Sequence, residues 1–241
     1  MPNEALVVEY FEQHASRYDE LVASADFQLD DAYRYLADYL AQCFGEAREL
    51  RILELGIGTG KLTAFLLDRL GSAHVTGVDI SSAMLDRARA NLRRHAGRVT
   101  LQCSDFARAS IEAQYDVVVS AIALTFHGID HGLLYRDVNR WLVRGGQFVY
   151  AANVAQGAAS CDAAVSQMLG RRMALDSGAR AFLASLRAPE ILLTPSRWHL
   201  RELERAGFID VDCLYLRYKL GIYSGRRPGI AVAPREAHTG G

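Results

Sequence analysis

Three closely spaced glycines, Gly56, Gly58 and Gly60, follow an acidic residue, Glu54, and are the residues best suited to holding a ligand. Glycines let the backbone turn tightly and leave its N–H groups accessible, because no Cβ stands in the way. Apolar residues at helical spacing begin after Lys61, so the glycines are predicted to join a buried strand to a helix N-terminus. Such a turn favours a ligand edge with acceptors or negative charge. The alternative is a tight turn without a ligand.

Two further acids follow predicted strands. Asp79 comes about 20 residues after the glycines, where a carboxylate can accept both hydrogens of a ribose diol. Ser81 or Ser82 offers an alternative, in which Asp79 is only the neighbour of a helix cap. Asp105 can accept from an exocyclic amino group while the ring of Phe106 packs on a base, although a simple Ser-Asp turn is the alternative there.

The succession of apolar patterns predicts an α/β fold with a doubly wound, mostly parallel sheet. The predicted strands of its parallel part are residues 52–55, 73–80, 99–103, 115–123 and 147–152. A last pair, 211–217 and 219–224, is expected to be antiparallel because its join is too short for a helical crossover. The helix before this pair is predicted to have Thr194 as its N-cap and Pro195 at its first position.

The same patterns divide the chain into five predicted segments. They are N-terminal helices that cover the site (1–45), the ligand-binding core (46–152), a helical cap (153–195), a C-terminal helix with the antiparallel strand pair (196–228) and a flexible tail (229–241). The cap is inferred because so long a connection needs structure of its own. Dense aromatic residues in the first segment either pack a core or roof a ligand pocket.

Composition narrows the function classes. The 241 residues carry a net charge of −1, so a general nucleic-acid binder, which needs clustered basic residues, is disfavoured. Four scattered cysteines predict free thiols in a reducing cytoplasm and neither a metal site nor a disulfide framework. The N-terminus lacks a signal pattern, and no apolar run approaches about 18 residues, so no membrane span is expected.

Taken together, several motifs resemble the class I S-adenosylmethionine (SAM)-dependent methyltransferases. The matching runs are ELGIGTG at 54–60, GVDIS at 77–81, YDVVVS at 115–120, WLVRGGQF at 141–148 and AGF at 206–208. The resemblance covers about residues 10–228 and is similar in character to the small-molecule methyltransferases of ubiquinone and menaquinone biosynthesis. It implies a seven-stranded Rossmann-like sheet whose last strand is antiparallel. It also implies SAM as cofactor and S-adenosyl-L-homocysteine (SAH) as product.

The resemblance assigns roles to the residues singled out above. Gly56, Gly58 and Gly60 would approach the methionine part of SAM, and Glu54 would help to hold its ammonium group. Asp79 would take the ribose hydroxyls. Further contacts are implied for Ile80, Met84, Asp105 and Phe106 at the adenine, for Ala121 and Ile122 near the sulfonium, and for Tyr18 in the N-terminal helix.

Methyl transfer from a sulfonium depends mainly on alignment and on the exclusion of water, so few acid–base groups are required. His127, just after the fourth predicted strand, is the candidate general base for a protonated acceptor. The alternative is a histidine at a helix start with no chemical role. The preferred hypothesis is O-, N- or C-methylation of a small organic acceptor. The sequence is compatible with an oligomer as well as with a monomer.

Three other functions are weighed against this hypothesis. A tRNA methyl- or carboxymethyl-transferase keeps the fold but would need a stronger basic surface. Methylation of nucleic-acid amines is further disfavoured because no Asn-Pro-Pro-Tyr-like motif follows Val119. An NAD-dependent oxidoreductase is disfavoured because Lys61 stands where its fingerprint has a third glycine. A catalytically inactive SAM-binding protein stays open.

Overall fold

The N-terminal region is helical in the computed structural model, which describes residues 4–24, 29–108, 111–112, 114–125, 129–173 and 193–229. Helix α1 spans Glu4–His14, a 3-10 turn follows at Ala15–Arg17, and α2 spans Tyr18–Ser24. Helix α3 spans Leu29–Phe44. Its buried face repeats at helical spacing through Ala32, Leu36 and Leu40, as expected for an amphipathic helix laid on a core.

Strands and helices then alternate, as the sequence patterns predict. The elements are β1 (Arg51–Leu55), α4 (Lys61–Arg69), β2 (His74–Asp79), α5 (Ser82–Asn91), a 3-10 segment (Arg93–Arg98), β3 (Val99–Cys103), β4 (Tyr115–Ala121), a 3-10 turn (Ala123–Thr125), α6 (His131–Trp141) and β5 (Leu142–Ala155). The remaining elements are α7 (Ala159–Met173), β6 (Thr194–Pro195), α8 (Ser196–Arg205), β7 (Ile209–Arg217) and β8 (Leu220–Arg226).

The strands form one sheet in the order β3-β2-β1-β4-β5-β8-β7. Neighbours from β3 to β5 are parallel, whereas β8 is antiparallel to both β5 and β7. The predicted α/β class, the seven-stranded doubly wound sheet and its antiparallel last strand are therefore confirmed. The two-residue β6, which pairs with β5, is an addition to the predicted set. Strand order reverses between β1 and β4, which is where open α/β sheets bind ligands, beyond the strand ends.

Two apolar layers cover the sheet. Along β5, Val149 and Ala151 face the core packed by α3 and α4, while Phe148 and Tyr150 face the core packed by α6 and α8. This alternation follows from the two-residue period of a strand. Because both faces of the sheet are covered, the central strands consist of continuous apolar residues. Strand β1, next to the glycine turn, is an example. Glu54 is the exception in that strand, and it is only 1% exposed.

The C-terminal part departs from the sequence prediction at one helix start. The prediction of Thr194 as N-cap is wrong, because α8 begins at Ser196 and its capping position is Pro195. The Thr194 hydroxyl lies 2.9 Å from His199 Nε2 instead. Gly207, at φ +86°, lies just beyond the C-cap residue Ala206 and ends the helix.

Helix α7 lies in the predicted cap (153–195), but residues 153–155 continue β5, and Thr194–Pro195 form β6. The rest of that cap, at 174–192, and the predicted tail beyond Gly229 lie outside the described residues. The five segment boundaries therefore stay predictions. Within the described ranges, no helix combines the length and the hydropathy needed to cross a bilayer.

Candidate functional site

The turn between β1 and α4 uses all three of its glycines in the left-handed region, with φ of +70° at Gly56, +55° at Gly58 and +80° at Gly60. A Cβ at Gly56 would lie 2.2 Å from that of Ala123, and one at Gly60 would lie 2.6 Å from Leu92 Cδ1. A Cβ at Gly58 would meet nothing within 4 Å. Packing therefore accounts for the outer two glycines, and the middle one faces open space.

Asp79 lies at the end of β2 and joins this turn. Its Oδ2 accepts the Gly58 N–H at 2.8 Å, and its Oδ1 accepts the Ser81 N–H at 2.9 Å. Burial raises the pKa of Asp79, and the two backbone hydrogen bonds act in the opposite direction. The Ser81 hydroxyl caps α5 by accepting from Met84 N at 3.1 Å. Ser81 is therefore the cap of α5, and Asp79 also faces the glycine turn. The role of Asp79 toward a ribose stays a prediction.

Glu54 lies beneath the turn and is buried. The Thr63 hydroxyl of α4 donates to its Oε2. The pKa of Glu54 is raised to about 8, mainly by burial and also by the Asp79 charge, against the lowering effect of the Thr63 hydrogen bond. Glu54 therefore holds its proton at neutral pH unless a cation comes near.

The opposite wall is the turn that follows β4. Ile122 has φ +66°, a conformation that β-branched residues rarely adopt. Its N–H donates to Ala151 O at 2.8 Å, and its carbonyl accepts from both the N–H and the hydroxyl of Thr125, at 3.1 Å and 2.6 Å. This conformation places Ala123 against Gly56. Ala121 and Ile122 are both partly exposed at this wall.

Asp105 and Phe106 lie beyond β3. Asp105 Oδ1 accepts the Ala107 N–H at 2.9 Å, and Asp105 forms an ion pair with Arg108 at 3.4 Å. The Ser-Asp turn named as an alternative is therefore formed. The ring of Phe106 lies 3.6 Å from the position of a Cβ at Gly56, so Phe106 borders the site.

The remaining predicted residues occupy different depths. Met84 is buried at the start of α5, and Ile80 is partly exposed just before it. Tyr18 packs on the core beside α3 and meets the Phe11 ring edge-on at 5.9 Å. His127, the predicted general base, lies outside the described residues, as do both of its neighbours.

Several residues that the sequence reasoning missed tie the N-terminal helices to this site. Asp19 accepts from the Thr59 hydroxyl at 2.6 Å and from Asn91 Nδ2 at 3.2 Å. Glu12 accepts from the Ser81 hydroxyl at 2.9 Å and lies at the N-terminus of α5. Hydrogen bonds from Ala83 N and the Ser81 hydroxyl lower the pKa of Glu12, and burial acts in the opposite direction. These contacts join residues far apart in sequence, so no local spacing indicates them.

Comparisons with known proteins agree with this geometry. The family profile described as a methyltransferase domain matches residues 52–146. An uncharacterized methyltransferase of Bacillus licheniformis is 33% identical over 160 residues, which are 65% of this chain and 72% of that protein. The malonyl-[acyl-carrier protein] O-methyltransferase of Priestia megaterium is 38% identical over 120 residues, 50% of this chain and 41% of that protein. The chain spans about two fifths of the length of the curated relatives of this second kind.

A solved structure extends the likeness to nearly the whole fold. The magnesium protoporphyrin IX methyltransferase of Synechocystis, with bound SAH, superimposes with a TM-score of 0.68 at 15% identity, over 93% of this chain and 99% of that one. At that identity the superposition shows the fold alone. Together with the sequence matches, it means that this chain belongs to the class I SAM-dependent methyltransferase family, and the resemblance seen in the motifs is confirmed.

Proposed function

We propose that this chain binds SAM between the glycine turn and the turn after β4 and transfers its methyl group to a small organic acceptor. The observation that carries the proposal is the meeting of Asp79 with Gly58 at 2.8 Å. This contact brings the carboxylate at the end of β2 next to the glycine turn that follows β1, the neighbouring strand. SAM needs both groups side by side, because the carboxylate would bind its ribose and the glycine turn would lie along its methionine part.

The residues present fit such a ligand. Each carboxylate oxygen of Asp79 accepts one backbone N–H and keeps a lone pair for a ribose hydroxyl. The open space beyond Gly58 leaves room for the methionine part. Glu54, buried and protonated in the free protein, becomes a counter-ion for the ligand ammonium once it ionises. Phe106 supplies an apolar face at the adenine end, and Asp105 is the proposed partner of the adenine amino group.

The chemistry asks little of the protein beyond alignment. When bound, SAM supplies a methyl group on a positively charged sulfur. An electron pair of the acceptor would form the new bond to the methyl carbon as the carbon–sulfur bond breaks, and the sulfur of SAH would keep the two electrons of the broken bond. Ala121 and Ile122 shape the wall beside the reacting atoms, and Tyr18 helps to exclude water. His127 is the proposed base wherever the acceptor must lose a proton.

The acceptor class follows from the relatives only as a proposal. Proteins named as malonyl-[acyl-carrier protein] O-methyltransferases match half of this chain at 33–38% identity. A carboxylate carried on a thioester is therefore the first acceptor to test. The proposal also covers other small acceptors that react through oxygen, nitrogen or carbon.

Calorimetry followed by isotope transfer tests this function. The protein is titrated with SAH and with NAD, and we expect binding of SAH and none of comparable strength for NAD. Methyl-labelled SAM is then offered with a malonyl thioester, a metabolite extract and bulk tRNA, with excess SAH as the inhibited control. Label in a small molecule supports the proposal. Preference for NAD contradicts the cofactor, and label confined to tRNA contradicts the acceptor class.

A further inference from the structure

The turn that follows β4, residues 122–125, is held in a conformation that its own sequence does not favour. Ile122 is β-branched, yet it adopts φ +66°. Strained backbone of this kind persists only where the surroundings over-determine it. Here the surroundings include two hydrogen bonds from Thr125 to the Ile122 carbonyl and one from Ile122 to Ala151.

A buried histidine from the next helix holds the same turn from behind. His131 Nε2 lies 2.7 Å from the carbonyl oxygen of Leu124. Because a carbonyl can only accept, Nε2 carries the proton and donates it. His131 is the first residue of α6 and is 7% exposed. Its ring meets the edges of Tyr135 and Trp198 at centroid distances of 5.8 Å and 5.2 Å, so its direction is fixed by packing.

This contact reaches the ligand site through a single residue. Ala123 lies between Ile122 and Leu124, and its Cβ occupies the position where a side chain at Gly56 would stand. Any relaxation of the turn moves Ala123 relative to the first glycine. The backbone amides of the glycine turn would then lose their packing contact with Ala123.

We propose that His131 is a positioning residue for the methyl donor: by donating to Leu124 O it keeps the turn at 122–125 against the glycine turn. The proposal rests on the proposed function, since it assumes that SAM and SAH bind at this wall. His131 touches neither ligand nor acceptor. It acts through the backbone of the turn, and Thr125 is the second anchor of the same segment.

His199 provides a matched control. It is 4% exposed and lies in the same aromatic layer as His131. Its ring nitrogens form hydrogen bonds with Tyr150 at 3.1 Å and Thr194 at 2.9 Å, and its ring stacks on Tyr223. Burial lowers the pKa of His199 to about 4, with His131 acting in the same direction, so the ring is neutral near pH 7. Replacing it removes hydrogen bonds to Tyr150 and Thr194 and none of the hydrogen bonds described for the turn at 122–125.

The test compares SAH affinity and thermal unfolding for His131→Phe, His131→Gln and His199→Phe. We expect His131→Phe to bind SAH at least about tenfold more weakly while it is folded, since a buried carbonyl loses its donor. His131→Gln keeps a donor at similar reach and is expected to stay within about threefold of wild type. His199→Phe is expected to lower the melting temperature with affinity also within about threefold.

The outcomes separate the two proposals. Unchanged affinity in His131→Phe, or an equal loss in His199→Phe, overturns the positioning role while the methyltransferase proposal stands. Failure of the wild-type protein to bind SAH overturns the methyltransferase proposal and, with it, this one. If His131→Phe does not fold, Thr125→Val decides, because it removes one hydrogen bond to the Ile122 carbonyl at nearly constant volume. It is expected to weaken SAH binding about threefold or more, and wild-type affinity there overturns the role.

Discussion

The carboxylate of Asp79 accepts a hydrogen bond from the backbone N–H of Gly58, at 2.8 Å, across 21 residues of sequence. This contact joins the end of β2 to the turn after β1, the two places where the sequence predicts ligand-binding groups. A ligand that binds Asp79 must therefore use the carboxylate lone pairs that the Gly58 N–H leaves free.

Gly58→Ala is predicted to damage binding more than folding. Its backbone lies at φ +55° and a Cβ would meet nothing in the free protein, so the cost in stability is the left-handed conformation, about 1–2 kcal/mol. The added methyl projects into the space assigned to the ligand. SAH affinity is expected to fall at least about tenfold, as measured by calorimetry.

Gly45→Ala is the control for that substitution. Gly45 also lies at positive φ, +86°, with nothing within 4 Å of its Cβ position, but it follows α3 outside the site. Both variants are expected to lose similar stability in thermal unfolding, and only Gly58→Ala is expected to lose affinity. Equal affinity in the two variants would show that no ligand lies over Gly58.

Glu54→Gln is predicted to remove a pH dependence of stability. In the folded, ligand-free protein the pKa of Glu54 is about 8, against an ordinary value of 4.5, so between these values the folded state holds a proton that the unfolded chain has released. Stability of the wild type therefore falls as pH rises from about 4.5 to about 8 and changes no further above that. Denaturant unfolding across this range should show the extra slope in wild type and not in the variant.

The same group is predicted to release a proton when SAH binds. An ammonium group beside Glu54 favours the carboxylate, so near pH 7 wild type should release close to one proton more than Glu54→Gln. Calorimetry in buffers of different ionisation enthalpy measures this difference. 5′-Methylthioadenosine, which lacks the amino-acid part, should show no such difference. Identical proton release in the two proteins on SAH binding would remove Glu54 from the ammonium site.

Asp19→Ala is predicted to loosen the N-terminal helices over the site. Asp19 accepts from Thr59 in the glycine turn and from Asn91 at the end of α5, and losing both contacts is expected to cost about 1–3 kcal/mol locally. Hydrogen exchange should become faster in residues 4–24, and SAH should dissociate several-fold faster. Glu9→Ala is the control, because the described contact of Glu9 is a hydrogen bond from Gln13 within α1. Exchange rates that match that control would contradict an anchoring role.

Much of the fold could be predicted because its signals are local. The strand–turn–helix unit at residues 51–69 shows its apolar run, its glycines and its helical spacing within a few residues of one another. The antiparallel pairing of β7 and β8 could be predicted because the connection between them is too short for a helical crossover. Thr194 is a residue type that favours N-caps, but its hydroxyl hydrogen-bonds His199 instead, and this tertiary contact is not visible in the local sequence.

The parts of the site that escaped prediction depend on tertiary contacts. Asp19 and Thr59 are 40 residues apart, and nothing in either local sequence indicates the other. His131 looks like any residue at a helix start, and only the fold shows that it holds Leu124. The proposed base, His127, and the roles of all the predicted SAM-contacting residues stay predictions.

The most direct test of the account is a calorimetric titration of SAH into wild type, Asp79→Ala and Asp116→Ala. Asp116 is the matched control, since it also accepts a strand-end N–H, that of Arg51 at 3.0 Å, but outside the predicted binding edge. We predict that wild type and Asp116→Ala bind alike and that Asp79→Ala binds at least about tenfold more weakly. Equal affinity of Asp79→Ala and wild type, or no binding by wild type, would contradict the account.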